Sequence, residues 1–173
     1  MEMVTKHIKI DDEFIEQHKD PFAIIEPVWW TSTIHDGEAK YNESLAPFSK
    51  EQRNIYAMLW YLAEVENGGH DQFYFNSTGI VWKDALYACT ALELDEVAEI
   101  IVESAAKMGG EPSLDRATRQ EQLNEYKPDF EELDSRLYKI DTKIYDGIRQ
   151  YFLKNRSAFY FEGEIKLPKN WSK

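Results

Sequence analysis

Between Ser49 and Gly69 the chain carries the feature that most restricts its fold. Ser49-Lys50-Glu51-Gln52 has the form of a capping box, in which Ser49 accepts from the helix backbone while Gln52 reaches back to the cap. The run behind it, Ile55, Tyr56, Leu59, Trp60, Leu62 and Ala63, is apolar around most of a helical wheel, as a buried central helix requires. Asn67-Gly68-Gly69 is expected to end it, since glycine enters the left-handed conformation without steric cost. The same Asn-Gly pair also fits a hairpin turn with Gln72–Phe75 as the returning strand. The stretch behind the cap is too long for an ordinary strand, which favours the helix.

Helical spacing recurs on both sides. Asp11-Asp12-Glu13 suits a helix start, and Pro21 and Pro27 divide the segment that reaches to Ile34. Residues 34–47 (IHDGEAKYNESLAP) read as a loop. Further helices are expected over Gly79–Leu92, Asp95–Met108 and Arg116–Tyr126, with a break at Gly109–Ser113. Pro128-Asp129 opens another, carrying Phe130, Leu133, Leu137 and Ile140 on one face. A last helix carries Ile144, Ile148, Tyr151 and Phe152. The expected architecture is therefore all-α: a single-domain bundle of about six to eight helices, with a core over 11–157 and an extended tail over 158–173. The 173 residues, 43% of them hydrophobic, suffice for one buried core.

Glu66–Ser77 (ENGGHDQFYFNS) gathers the polar groups with most chemical promise. Gln72 and Asn76 fall at i and i+4 if Asp71 starts a short helix. One reading makes Asn67, Gly68, Gly69, Gln72 and Asn76 a structural motif, the amides satisfying backbone groups where two helices meet at a glycine turn. The other makes His70, Asp71, Gln72 and Asn76 a small-molecule or catalytic pocket, with His70 as base and Asp71 orienting it. No nucleophile, phosphate loop, dinucleotide turn or zinc signature accompanies them, so no cofactor and no catalytic residue is assigned. His35 with Asp36, and His7 with His18, fall short of the three or four ligands a zinc site needs. The single cysteine, Cys89, lies on an apolar stripe and reads as a small buried hydrophobe.

Charge gives a second line of inference. The chain holds 32 acidic and 20 basic residues, a formal net charge of -12. Direct nucleic-acid binding, which rests on cations replacing phosphate counterions, is not expected. Glu93, Asp95, Glu96, Glu99 and Glu103 project from the expected third helix with no intervening base. Glu96, Glu99 and Glu103 stand at i, i+3 and i+7 on one face. Asp129, Glu131, Glu132 and Asp134 open a later helix. Such rows are either ordinary solvated faces or an anionic surface for a basic protein partner. With no secretory leader pattern and no membrane-length apolar run, a soluble cytoplasmic protein that binds no membrane is expected.

The segment EVENGGHDQFYFNSTG, Glu64 to Gly79, resembles the signature of a bacterial family whose best-known member is described as a DNA mimic protein. The resemblance continues through Trp82, Ala85 and Leu86 to Met108. It takes in Asp115-Arg116 and Arg119, placed in a family loop, then Leu133-Asp134 with Tyr138 in a late helix. It implies an all-helical, dimeric protein without enzymatic activity. An acidic surface would occupy the DNA-binding face of a helix-turn-helix transcription regulator. An immunity-type inhibitor of a basic toxin would use the same electrostatics and stays open at this point.

Overall fold

The computed structural model describes residues 2–171. Residue 1 and the last two positions of the expected tail lie outside the described residues. In order, the elements are β1 (Met3–Ile10), α1 (Asp12–Gln17), α2 (Pro21–Ile24), α3 (Glu26–Thr31), α4 (Glu38–Leu45) and α5 (Lys50–Phe75). After a 3-10 helix over Ser77–Val81 come α6 (Trp82–Leu92), α7 (Asp95–Lys107), α8 (Arg116–Tyr126), α9 (Glu131–Tyr138), α10 (Asp141–Lys154), a 3-10 helix over Arg156–Phe159, β2 (Phe161–Pro168) and a 3-10 helix over Lys169–Trp171. The fold is mostly helical, as expected, with one small sheet added.

The capping box forms as its residues suggest. Gln52 N donates to Ser49 Oγ at 3.0 Å and Ser49 N donates to Gln52 Oε1 at 2.9 Å. Ser49 Oγ also donates to the Ala158 carbonyl at 2.7 Å, so the cap ties the central helix to the chain's return. Behind it α5 is buried on nearly every side, from Ile55 through Leu59 and on to Tyr61, Leu62 and Val65. The other elements wrap this helix, and their apolar faces join in one cluster reaching from Ile8 on β1 to Leu167 on β2.

Three expectations are corrected. The glycine pair does not end the helix. Gly68 (φ -151°) and Gly69 (φ 72°, ψ -178°) kink it, and helix resumes to Phe75 with Asn76 at its C-terminal cap, which excludes the hairpin. The segment expected as a loop before Pro47 holds α4, which buries Tyr41 and Leu45 against the bundle. Its other positions are polar apart from Ala39, so its hydrophobic periodicity is faint. The arginines placed in a loop by resemblance belong to α8, whose N-cap Asp115 accepts from Thr118 N at 2.8 Å.

The tail is extended over Phe161–Pro168, where it forms a strand, and ends its described part in a 3-10 turn over Lys169–Trp171. β2 runs antiparallel to β1, with Met3 opposite Pro168 and Ile10 opposite Phe161. Ile8, Ile10, Ile165 and Leu167 turn inward and Lys9, His7 and Glu162 outward, the period-two alternation of a half-buried sheet. Pro21 and Pro27 sit in the first turns of α2 and α3, where a missing amide donor costs nothing. Among the described residues no helix is long and apolar enough to cross a membrane.

Candidate functional site

The kink in α5 creates a polar knot beneath the surface. Gly69 adopts a backbone conformation closed to other residues, and a Cβ there would strike the Asp134 carboxylate. That close approach lets Asp134, on α9, serve as the cap of the resumed helix. Its Oδ1 accepts from His70 N at 3.0 Å and meets His70 Nδ1 at 2.5 Å. On the far side of the ring, His70 Nε2 lies 2.8 Å from the Tyr61 hydroxyl. The Asp134 carboxylate can only accept, so Nδ1–H donates to it, and burial drives the Tyr61 pKa well up, so the hydroxyl beside Nε2 keeps its proton. His70 is 0% exposed and packs its ring against Tyr61, Tyr74 and Phe130.

One turn away the knot is centred on Glu64, only 8% exposed. Its Oε2 accepts from Gln72 Nε2 at 2.7 Å and from Asn76 Nδ2 at 3.0 Å; Oε1 accepts from Thr78 Oγ1 at 2.8 Å. Three donors converge on a buried carboxylate, which offsets the cost of removing it from water. The amides expected to serve backbone groups thus serve a side chain instead. Asn67 stays at the rim, donating to Gln72 Oε1 at 3.2 Å.

Arg119 of α8 closes the knot and is 0% exposed. Its Nε donates to the Tyr74 carbonyl at 2.7 Å, while Nη2 and Nη1 donate to the Asn76 and Ser113 carbonyls, each at 2.6 Å. Burial pulls its pKa down to about 10. Gly79 admits the guanidinium: a Cβ there would stand 2.6 Å from Nε and 2.7 Å from the Phe73 carbonyl. Residue patterning does not single out Glu64 or Arg119 as buried. The available signal for Glu64 is its place eight and twelve residues before Gln72 and Asn76. Trp82 has a comparable anchoring task, donating its indole N–H to the Pro112 carbonyl at 2.9 Å. Burial pushes the Cys89 thiol up to about 12, in keeping with an inert apolar role.

The pocket reading of these residues finds little geometric support. His70 and Tyr61 are sealed, and only Asp71, Gln72 and Asn76 reach shallow surface hollows on either side of the kink. Among the described residues no group of three histidine, cysteine or carboxylate side chains is placed to hold a metal ion. His35 instead meets Ser77 Oγ at 2.6 Å, and His18 stacks on Phe14.

Outside the knot lies the acidic face. Glu93, Asp95, Glu96, Glu99 and Glu103 are exposed along the start and outer side of α7, and Asp129, Glu131 and Glu132 at the start of α9. Asp134 is turned inward to His70 with its side chain 19% exposed, and so contributes little to that surface. The two helices meet through Arg136 of α9. Its Nη1 donates to both Glu103 oxygens at 2.9 and 3.0 Å, and its Nη2 lies 3.9 Å from Glu99. The Glu103 hydrogen bond, followed by the charges of Glu103, Glu132 and Glu99, raises the Arg136 pKa. Three carboxylates from two elements therefore share one guanidinium, which leaves the face anionic. Glu93 is more loosely matched, 4.0 Å from Lys154.

No curated protein and no solved structure gives a match to the chain. The sequence profile of the DMP19-like protein family does, over residues 46–156, a span that holds the kinked helix, the whole of the knot and both acidic helices. The chain belongs to the DMP19-like protein family, a family of DNA-mimic type.

Proposed function

We propose that this protein is a non-enzymatic binding module that presents the anionic face of α7 and α9 to a basic protein. The DNA-binding surface of a helix-turn-helix regulator is the partner class the family suggests. The observation that carries this reading is the gathering of Glu99, Glu103 and Glu132 around the single cation Arg136, with Asp95 and Glu96 continuing the row along α7. Carboxylates on a rigid two-helix platform offer arginine and lysine the fixed anionic spacing that a phosphate backbone otherwise supplies. The buried knot supports the platform by locking α9 to the kink in α5 through Asp134.

Such contacts confer on-rate and specificity and are screened over about 8–10 Å at physiological ionic strength. The test is capture of purified helix-turn-helix regulators by the immobilised protein, eluted by a salt gradient and by duplex DNA. A true partner elutes with rising salt and is displaced by its own operator. The triple variant Glu96→Gln, Glu99→Gln, Glu132→Gln loses it by about tenfold or more. Retention of the partner at equal strength in low and high salt would defeat the proposal.

A further inference from the structure

A cavity of about 630 Å³ opens between β1 and the short helices α2 and α3, away from the acidic face and outside the family-matched span. Its volume falls within the roughly 300–1,000 Å³ of small-molecule sites. Part of the wall is aromatic, its rings set at right angles, and the rest carries Lys6, Lys9, His7, His18 and Asp20. Trp30 and Trp171 meet edge to face at 5.3 Å and 75°, and Phe22 and Trp29 do so at 5.1 Å and 84°. Trp29 is held from behind by Trp60, stacked at 4.2 Å and 11°, so that wall is rigid. On the same cavity stands Glu26, whose side chain is 16% exposed and whose nearest cation, Lys6, is a loose 4.0 Å away.

Aromatic rings present negative faces, and a ring pair at right angles offers two such faces to one guest. An ammonium within about 6 Å of several ring centroids is attracted to all of them, and a neighbouring carboxylate supplies the balancing charge. A primary ammonium prefers water or a close hydrogen-bonded partner. A methylated one cannot donate, and spreads its charge over apolar surface that matches indole walls. The lysines of the lining, Lys6 and Lys9, are matched in number by Asp20 and Glu26, so an entering cation is drawn by the rings and by Glu26 more than by the field of the whole chain. Lys9 is engaged by Asp11 at 3.1 Å and His7 lies 3.8 Å from Glu162, while Lys6 is the cation beside Glu26.

We propose that the cavity walled by Phe22, Trp29, Trp30 and Trp171 binds a small organic cation of the quaternary-ammonium class, with Glu26 as its counter-ion. The ligand displaces Lys6 from the carboxylate and seats its methylated head against the indoles. The site acts independently of the acidic face, and its failure leaves the reading of that face untouched.

The experiment is a titration of the full chain with choline, monitored by calorimetry and by tryptophan fluorescence, against 3,3-dimethyl-1-butanol as the neutral isostere. Saturable choline binding is expected, with the isostere weaker by about tenfold or more. Glu26→Gln, which keeps the side-chain shape, weakens choline by about tenfold while the thermal midpoint stays in place. Lys6→Met removes the competing cation and tightens it. Trp30→Ala abolishes it with that variant's own far-ultraviolet dichroism retained, and Glu26→Gln supplies the test should Trp30→Ala fail to fold. Absence of saturation by about 10 mM choline, a Kd range typical of no specific site, overturns the proposal. Equal affinity for the neutral isostere, or loss of binding in Lys6→Met, overturns it as well.

Discussion

Glu64 and Glu99 are the same residue type on neighbouring helices, yet the molecule uses them in opposite ways. Glu64 is buried with three hydrogen-bond donors directed at it, whereas Glu99 stands in solvent with one distant guanidinium. A carboxylate withdrawn from water must be fully bonded and then becomes a fixed structural part; one left in water costs little and stays available to a partner. The contrast separates what holds the chain together from what it can offer, and it yields separate measurements.

The largest effect belongs to the inner region. Arg119→Ala leaves the carbonyls of Tyr74, Asn76 and Ser113 without their donor and opens a void, and is expected to cost about 4 kcal/mol of stability in chemical denaturation. Arg119→Lys restores little, because an ammonium lacks the planar fork that reaches several carbonyls at once. Glu64→Ala comes next at about 3 kcal/mol, since it orphans Gln72, Asn76 and Thr78 together. Both losses are expected to be nearly independent of salt. A salt-sensitive loss at Glu64 would mean that solvent reaches the knot.

The outer region should respond in the reverse sense. Neutralising Glu96, Glu99 and Glu132 is expected to change stability by no more than about 0.5 kcal/mol, with its effect confined to association. A large fall in the thermal midpoint of that variant would erase the distinction between the two regions. The smallest effect is at their border. Burial, and then the nearby Asp134 carboxylate, raise the pKa of Asp71. A raised carboxyl pKa means the folded state carries a penalty above that range, relieved as the pH falls through the folded value. Asp71→Asn is therefore expected to raise the midpoint by about one degree at neutral pH and to leave it unchanged in acid.

Local features of the chain announce much of this arrangement. The capping box at Ser49, the apolar run behind it, and the stripes of α6, α7, α9 and α10 all obey short-range rules that the fold respects. What escapes is non-local. The pairing of Met3–Ile10 with Phe161–Pro168 joins segments from opposite ends, and nothing in either strand names the other. Ile8 and Ile10 carry the period-two signal, but over too few residues to stand out from a polar stretch. Glu64 and Arg119 look like ordinary surface charges until tertiary structure surrounds them with partners. Asp134 shows the same limit in miniature. It sits among carboxylates that face water, and only the glycine kink opposite explains why it turns inward.

The antiparallel register of β1 and β2 has a mechanical consequence. Because Met3 lies across from Pro168, tension pulling the flanking chain apart would load the outermost rung first and peel the ribbon open one rung at a time. Opening of that kind proceeds at low force. The ribbon would yield as a latch while the helices behind it remained packed.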